Sequence, residues 1–486
     1  MQQLQKSCQE SYRYPLNLPP IYNAQYDLRS NHDLLCTISS RTFADESKAA
    51  LEFWEQQRDA YIRTSITCHQ SLRDHLNLAD QHYEQPPLSC FVFLEARSSR
   101  TRLLITRDML TDLLTYFQVM AGVVPMVASF GCDAARDYQH CQLESAVRLQ
   151  PPGSGIAVPE LNRSGRMYEI AYVFRTVERS ENVPGMPWQI KQTCIYHNFD
   201  VVTGLAVWIM IKGSDCLRRR LTDELSSSPA ILPTPRATER CAQAFGSTFN
   251  VQAMCADLSV ENWRWYINFL EQEAQTMTRV ITFKPVVPPT TTIPTPSVTK
   301  SDRSAAVGFV ARARTLSLGH LSRSSTLKSL LAKMNITEST QECKVPDIPS
   351  TVSSPSQPAL SFVAPQLEEE TYFETLQSIK GLEERAFEAR LVLKTSIRIW
   401  DQLQRTYDEV ISDEHFPESL RNEGKHCFSR FRCRMRSTQD ALENQVLRVD
   451  TLITLLAGRK ALVIPMRPTG LDCADSFPVA QRLRMA

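Results

Sequence analysis

The sequence predicts an α+β fold: an N-terminal α/β domain with an antiparallel sheet, a disordered linker rich in Pro, Ser and Thr, and a long antiparallel helical hairpin near the C-terminal end. Three observations carry this. Aromatic-rich β runs fall between Met167 and Gly213, a Pro/Ser/Thr-dominated stretch begins at Lys284, and two long stripes of apolar residues at helical spacing follow it. With 486 residues, 42% of them hydrophobic and 22% charged, the chain has room for two or three domains and their cores.

Residues 1–84 read as an N-terminal helical segment, because Leu51, Trp54, Tyr61, Ile66 and Leu72 recur at roughly helical spacing. Residues 85–283 read as the α/β domain. CFVFLEAR is short, apolar and aromatic, which suits a strand, and ITRDMLTDLLTYFQV behind it suits a helix capped by Thr106. Leu113 to Cys132 carries no charge and is long enough for a bilayer core, yet Gln118, Gly122, Pro125 and Gly131 interrupt it. It reads as a buried core helix that breaks near Gly122 and Pro125, and no membrane span is expected.

Met167–Ser180 and Trp188–Asp200 read as strands, and Leu205–Gly213 completes a hairpin whose turn ends in Gly204, where glycine accepts a positive φ. Trp263, Tyr266, Ile267, Leu270, Ala274 and Met277 then fall on one face of a helix.

Residues 284–366 form the linker, whose composition buries too little apolar surface to offset its ordering entropy. Residues 367–463 form the stalk-like hairpin. Its first helix carries Leu382, Ala386, Ala389, Leu393, Ile397, Trp400, Leu403, Tyr407 and Val410. The second, from about Cys427, carries Phe428, Phe431, Met435, Leu442, Val446, Val449, Ile453 and Leu456, with Pro417 and Gly424 punctuating the turn between them. Residues 464–486 read as an irregular tail, where Pro465, Pro468 and Gly470 stop the helix.

Composition excludes several function classes. A net charge of +1 argues against nucleic acid as a partner through bulk electrostatics. Fourteen cysteines without a CxxC pair, in a chain whose first residues hold no apolar run, suit reduced thiols and a cytoplasmic location. No GxSxG, HExxH, GxGxxG or GxxxxGK[ST] occurs, and no nucleophile–base constellation stands out, so an enzyme is not expected. His69, His75 and His82 lie near Cys68, and Cys132 precedes His140 and Cys141. Their spacings do not match the two-to-four-residue pairing of zinc ligands, and surface histidines with buried thiols is the expectation.

The linker holds a basic island in which Arg312 and Arg314 precede Ser317, and Arg323 precedes Thr326. Both are candidate phosphorylation sites of basophilic kinases, where a phosphate would bring close to two negative charges into the cluster. Lys425, Arg430, Arg432, Arg434 and Arg436 make a basic run on the last helix, while Glu368, Glu369 and Glu370 open the preceding one, at the opposite end of the hairpin.

The blocks IYHNFDVVTG and ENWRWYINFLE, with FVFLEARSSRTRLLITRDMLTDLLTYFQVM and YEIAYVF before them, resemble the cytoplasmic part of fungal CorA-like divalent cation transporters. The closing helix ALENQVLRVDTLITLLAGRKAL is similar to the long helix that in that family leads toward the membrane. Together these cover about residues 85–285 and 366–462. The resemblance implies a helical stalk, a divalent cation (magnesium) as ligand, and self-association or a pore-bearing CorA-like subunit met through the C-terminal helices. It also implies a place at the cytoplasmic face of a membrane. The family's Gly-Met-Asn pore signature does not occur, Lys333-Met334-Asn335 being different, and nothing after Val463 is long and apolar enough to span a bilayer. A domain that does not transport on its own is therefore expected. The alternative is a regulatory or scaffold protein using the hairpin and a phosphorylatable linker.

Overall fold

A computed structural model describes residues 1–19, 26–57, 60–76, 87–98, 100–132, 143–150, 156–180, 185–212, 215–227, 237–282 and 366–463. The linker expected at 284–366, with Ser317 and Thr326, and the tail expected at 464–486 lie outside the described residues, apart from Gln366 at the start of a helix.

The α+β architecture is as expected. A seven-stranded sheet has the order β2-β1-β3-β7-β6-β5-β4, from β1 (Leu51–Gln57), β2 (Ala60–Ile66), β3 (Ser89–Leu94), β4 (Leu143–Arg148), β5 (Met167–Arg179), β6 (Trp188–Asp200) and β7 (Ala206–Ile211). Five of its six pairings are antiparallel, and β3 with β7 is parallel. β5 and β6 pair along thirteen residues from Met167↔Asp200 to Arg179↔Trp188, and form the spine. The β6–β7 turn places Gly204 at φ +79, and a Cβ there would stand 2.9 Å from the Cys241 backbone. Glycine is needed for both reasons.

Helices cover both faces. On one lie α1 (Gln2–Gln9), α2 (Leu28–Thr42), α3 (His69–His75), α4 (Arg107–Tyr116) and α5 (Val123–Ala128). The Thr106 hydroxyl caps α4 by accepting from the Met109 amide. The Leu113–Cys132 stretch is core, with Leu113, Leu114, Val119, Met120, Val123 and Val124 buried. Its helix ends earlier than expected, at Tyr116, where Gln118 takes φ +53, and Gly122 and Pro125 belong to the start of α5.

The opposite face carries α6 (Asp215–Ser227), α7 (Ala237–Val260), α8 (Trp263–Thr282), α9 (Gln366–Ser412) and α10 (Glu418–Val463). Every stripe residue expected on the first long helix is buried except Ile397, which is partly so.

Two expectations are corrected. The segment 1–84 is not helical throughout, because Leu51–Gln57 and Ala60–Ile66 are a β hairpin. Consecutive residues Phe53 and Trp54 are both buried, Phe53 against the His75 ring (4.5 Å) and Trp54 against Phe93 (4.5 Å). A strand covered on both faces loses its alternation, and the remaining spacing imitates a helix. Secondly, Gly424 does not punctuate a turn but lies inside α10, which starts directly after Pro417.

At the centre of the bundle-facing side, His197 stacks on Trp208 with centroids 3.8 Å apart. Burial pushes its imidazole from the usual 6.5 down to about 3. Below pH 6.5 the unfolded chain binds a proton that the folded chain refuses, so stability falls as pH drops toward 3. Denaturant titrations should show about 2 kcal/mol of this loss by pH 5. His197→Phe, which keeps the stacking, should flatten that part of the profile; an unchanged slope contradicts the assignment.

Candidate functional site

β5 alternates between two polar environments. Its odd-numbered side presents Glu169, fully buried, which pairs with Arg148 from β4 and accepts from Tyr196 Oη (2.7 Å) and the Met120 amide (3.0 Å). A buried carboxylate needs such complete pairing, and the guanidinium, phenol and amide supply it. The result anchors the strand beneath the segment that leads into α5.

The even-numbered side presents Tyr168, Tyr172 and Phe174 to the long helices. Tyr172 packs edge-on against Trp400 of α9 (5.5 Å), and Tyr168 against Tyr407 (5.8 Å). Gln252 of α7, also buried, accepts from Tyr172 Oη at 2.5 Å and donates to Tyr407 Oη at 3.3 Å. Trp400 Nε1 donates to Ser259 Oγ at 2.9 Å. Burial pushes the Tyr172 and Tyr407 phenols up, so both stay protonated and able to donate. One amide therefore ties β5, α7 and α9 together.

α10 completes the bundle. Ion pairs Arg432–Asp408 (3.6 Å), Arg390–Asp450 (3.0 Å) and Lys460–Glu383 (3.2 Å) run down the α9–α10 seam in antiparallel register. Against α7 and α8 the helix runs parallel: Arg434 meets Asp257 (2.6 Å), Arg448 donates to Asn268 and Glu271 (2.6 and 2.7 Å), and Arg459 to the Ala274 carbonyl (2.7 Å). At the hairpin tip Arg421 donates to the carbonyls of Ile411 (2.9 Å) and Asp413 (2.8 Å), capping the end of α9. Arg166, just before β5, donates to the His415 carbonyl (2.6 Å) and holds that tip to the sheet.

Of the basic run, Arg432 and Arg434 are thus engaged with acidic partners, while Lys425, Arg430 and Arg436 stand exposed. Glu368, Glu369 and Glu370 lie near the start of α9.

No group of three or more His, Cys, Asp or Glu among the described residues could hold a metal ion. His69 Nε2 instead meets Asp112 Oδ2 at 2.8 Å, while the buried Ser11 hydroxyl donates to Asp112 Oδ1. The carboxylate sits between serine and histidine, so this is not a nucleophile–base order. It clamps α3 and the turn after α1 onto α4. His75 Nε2 lies 3.5 Å from Glu55 Oε2, and burial pushes the carboxyl up and the imidazole down, both against a charged pair. His82, His140 and Cys141 lie outside the described residues.

Sequence reasoning missed α7, which supplies Gln252. It also missed the contact between His32 and Cys36 on α2, whose sulfur lies 3.6 Å from the ring nitrogen. The signal was present as a His-x-x-x-Cys spacing, which on a helix puts both side chains on one face.

No helix among the described residues is long and apolar enough to cross a membrane. A family model described as CorA-like transporters matches residues 6–282. The match takes in the sheet, the second half of α1 and α2 to α8, beginning well before the expected 85, and stops short of α9 and α10. Comparison with curated proteins gives no match.

Gly424 tests how tightly the hairpin is seated. A Cβ there would lie 2.8 Å from two ring atoms of buried Phe245, whereas Gly458 on the same helix faces open space. Gly424→Val should cost about 1–3 kcal/mol in denaturant unfolding. Gly458→Ala should instead gain up to about 1 kcal/mol from helix propensity. Equal effects at the two sites would contradict the packing described.

Proposed function

The chain belongs to the CorA-like transporter family, and from that premise we propose that it acts as the cytoplasmic part of a divalent cation transporter, with magnesium as the ion. Its role in this reading is regulatory: the sheet domain holds the hairpin, and α9 and α10 meet a second copy or a pore-bearing CorA-like subunit. The observation that carries the reading is the outer surface of the hairpin. Phe373, Phe387 and Leu391 on α9, and Leu447 and Leu455 on α10, are exposed large apolar side chains. Leu447 is 65% exposed in the middle of a 46-residue helix that is otherwise pinned by arginines on its inner side. Large apolar side chains left open on a rigid helix favour burial against another chain.

Light scattering on the full chain across a concentration series, with and without magnesium, tests this. Association that strengthens with magnesium, and that Leu447→Asp with Leu455→Asp abolishes, is the expected result. A strict monomer indifferent to the ion overturns it.

The basic island fits the same role as a modulator. Ser317, with Thr326 as the weaker second site, is proposed to be phosphorylated, lowering the positive charge of the island. Phosphopeptide mapping of the protein from its native cells should find Ser317 modified; a well-covered, unmodified peptide removes this part of the proposal.

A further inference from the structure

Cys36 is exposed on α2 and stands in a built environment. His32, one turn earlier, places Nε2 3.6 Å from its sulfur. The other ring nitrogen, Nδ1, lies 3.0 Å from the Tyr14 carbonyl oxygen, which can only accept. Nδ1 therefore carries the proton, and the lone pair of the neutral ring is on Nε2, facing the thiol. Tyr14 is itself buried, with its hydroxyl donating to the Val119 carbonyl at 3.0 Å, so the group that orients the base is fixed. From the other side, Arg107 at the start of α4 donates from Nη2 to Cys36 Sγ at 3.1 Å. Nucleophile, base, orienting carbonyl and a cation beside the sulfur are the parts of an activated thiol.

The buried thiols provide the contrast, whereas Cys68 is partly exposed and its thiol is pushed down by the hydrogen bond to the Ser71 hydroxyl. Cys8, Cys90, Cys194, Cys241 and Cys255 are buried, and burial pushes Cys8 and Cys255 up to about 12. Such groups are inert. Cys433 on α10 is the other exposed cysteine among the described residues, and no histidine or arginine there is hydrogen-bonded to its sulfur.

We propose that Cys36 is a site of reversible S-thiolation by a small disulfide of the glutathione class. The sulfur attacks one sulfur of the disulfide as its proton passes to His32 Nε2. A new S–S bond forms at Cys36, the old S–S bond breaks, and the departing thiolate takes the proton back from His32 to leave as a thiol. The disulfide is the oxidant, one thiol is released for each one consumed, and the sequence reverses in excess thiol. Arg107 faces the charge that develops on the attacking sulfur. This inference does not depend on transport or on self-association.

The test treats the full chain, folded, with oxidised glutathione at neutral pH and follows each cysteine peptide by mass spectrometry over time. Cys36 should be modified about ten-fold or more faster than Cys433, and dithiothreitol should reverse it. In denaturant the two peptides should react at similar rates, since the advantage is built by the fold. His32→Gln and, separately, Arg107→Gln should each slow Cys36 by about ten-fold while leaving Cys433 unchanged. Unchanged Cys433 kinetics and circular dichroism establish that each variant is folded. Equal rates at Cys36 and Cys433 in the folded chain overturn the proposal, as does a Cys36 rate indifferent to both substitutions.

Discussion

β5 and β6 are covered by helices on both faces, and that two-sided burial sets the terms for the rest of the molecule. A strand with one wet face can carry polar side chains at no cost. Here each polar group on the spine must find an internal partner or forfeit its hydration. Glu169 resolves this toward α5 with Arg148, Tyr196 and the Met120 amide. Tyr172 resolves it toward the bundle through Gln252. These solutions are directional, whereas the surrounding apolar contacts are not, so they fix which helix lies over which stretch of strand.

The hairpin inherits its placement from that arrangement. Once Trp400 and Tyr407 are seated on β5, the register of α9 is settled, and the seam charges settle α10 in turn. The exposed ion pairs contribute little to stability one by one. Spread along the seam at matching positions, they penalise a slipped register, because a shift of one turn would separate several pairs together. The arginines that bind α8 and the Ile411 carbonyl add hydrogen bonds whose geometry tolerates little sliding.

What could be read from the sequence follows the same physics. The hairpin stripes and the α8 face were legible because each helix has one dry side and one wet side, as for Trp263, Tyr266, Ile267 and Leu270. The Gly204 turn was legible because few residues accept a positive φ. The β1–β2 hairpin was not, since Phe53 and Trp54 are buried on opposite faces. α7 was missed for a related reason: Phe245 and Phe249 meet α10 while polar Gln252 and Ser259 are buried toward β5 and α9, so residue type does not separate its dry faces from the exposed stripe of Arg240, Gln243, Ser247 and Asn250. Gly246, Ser247, Thr248 and Asn250 also weaken its intrinsic helical signal. The His32–Cys36 pair was hidden by its orienting partner, since Tyr14 reaches His32 only through the fold.

The docking of α9 and α10 on β5, α7 and α8 joins segments separated by about eighty residues of chain, between Thr282 and Gln366. A covalent connection contributes effective concentration, and the interface itself supplies specificity. The two parts behave as a receptor and a ligand that happen to share a backbone. A nick anywhere in the connecting stretch would leave a noncovalent complex whose dissociation rate is set by the aromatic seat and by the α10 arginines that reach α7 and α8.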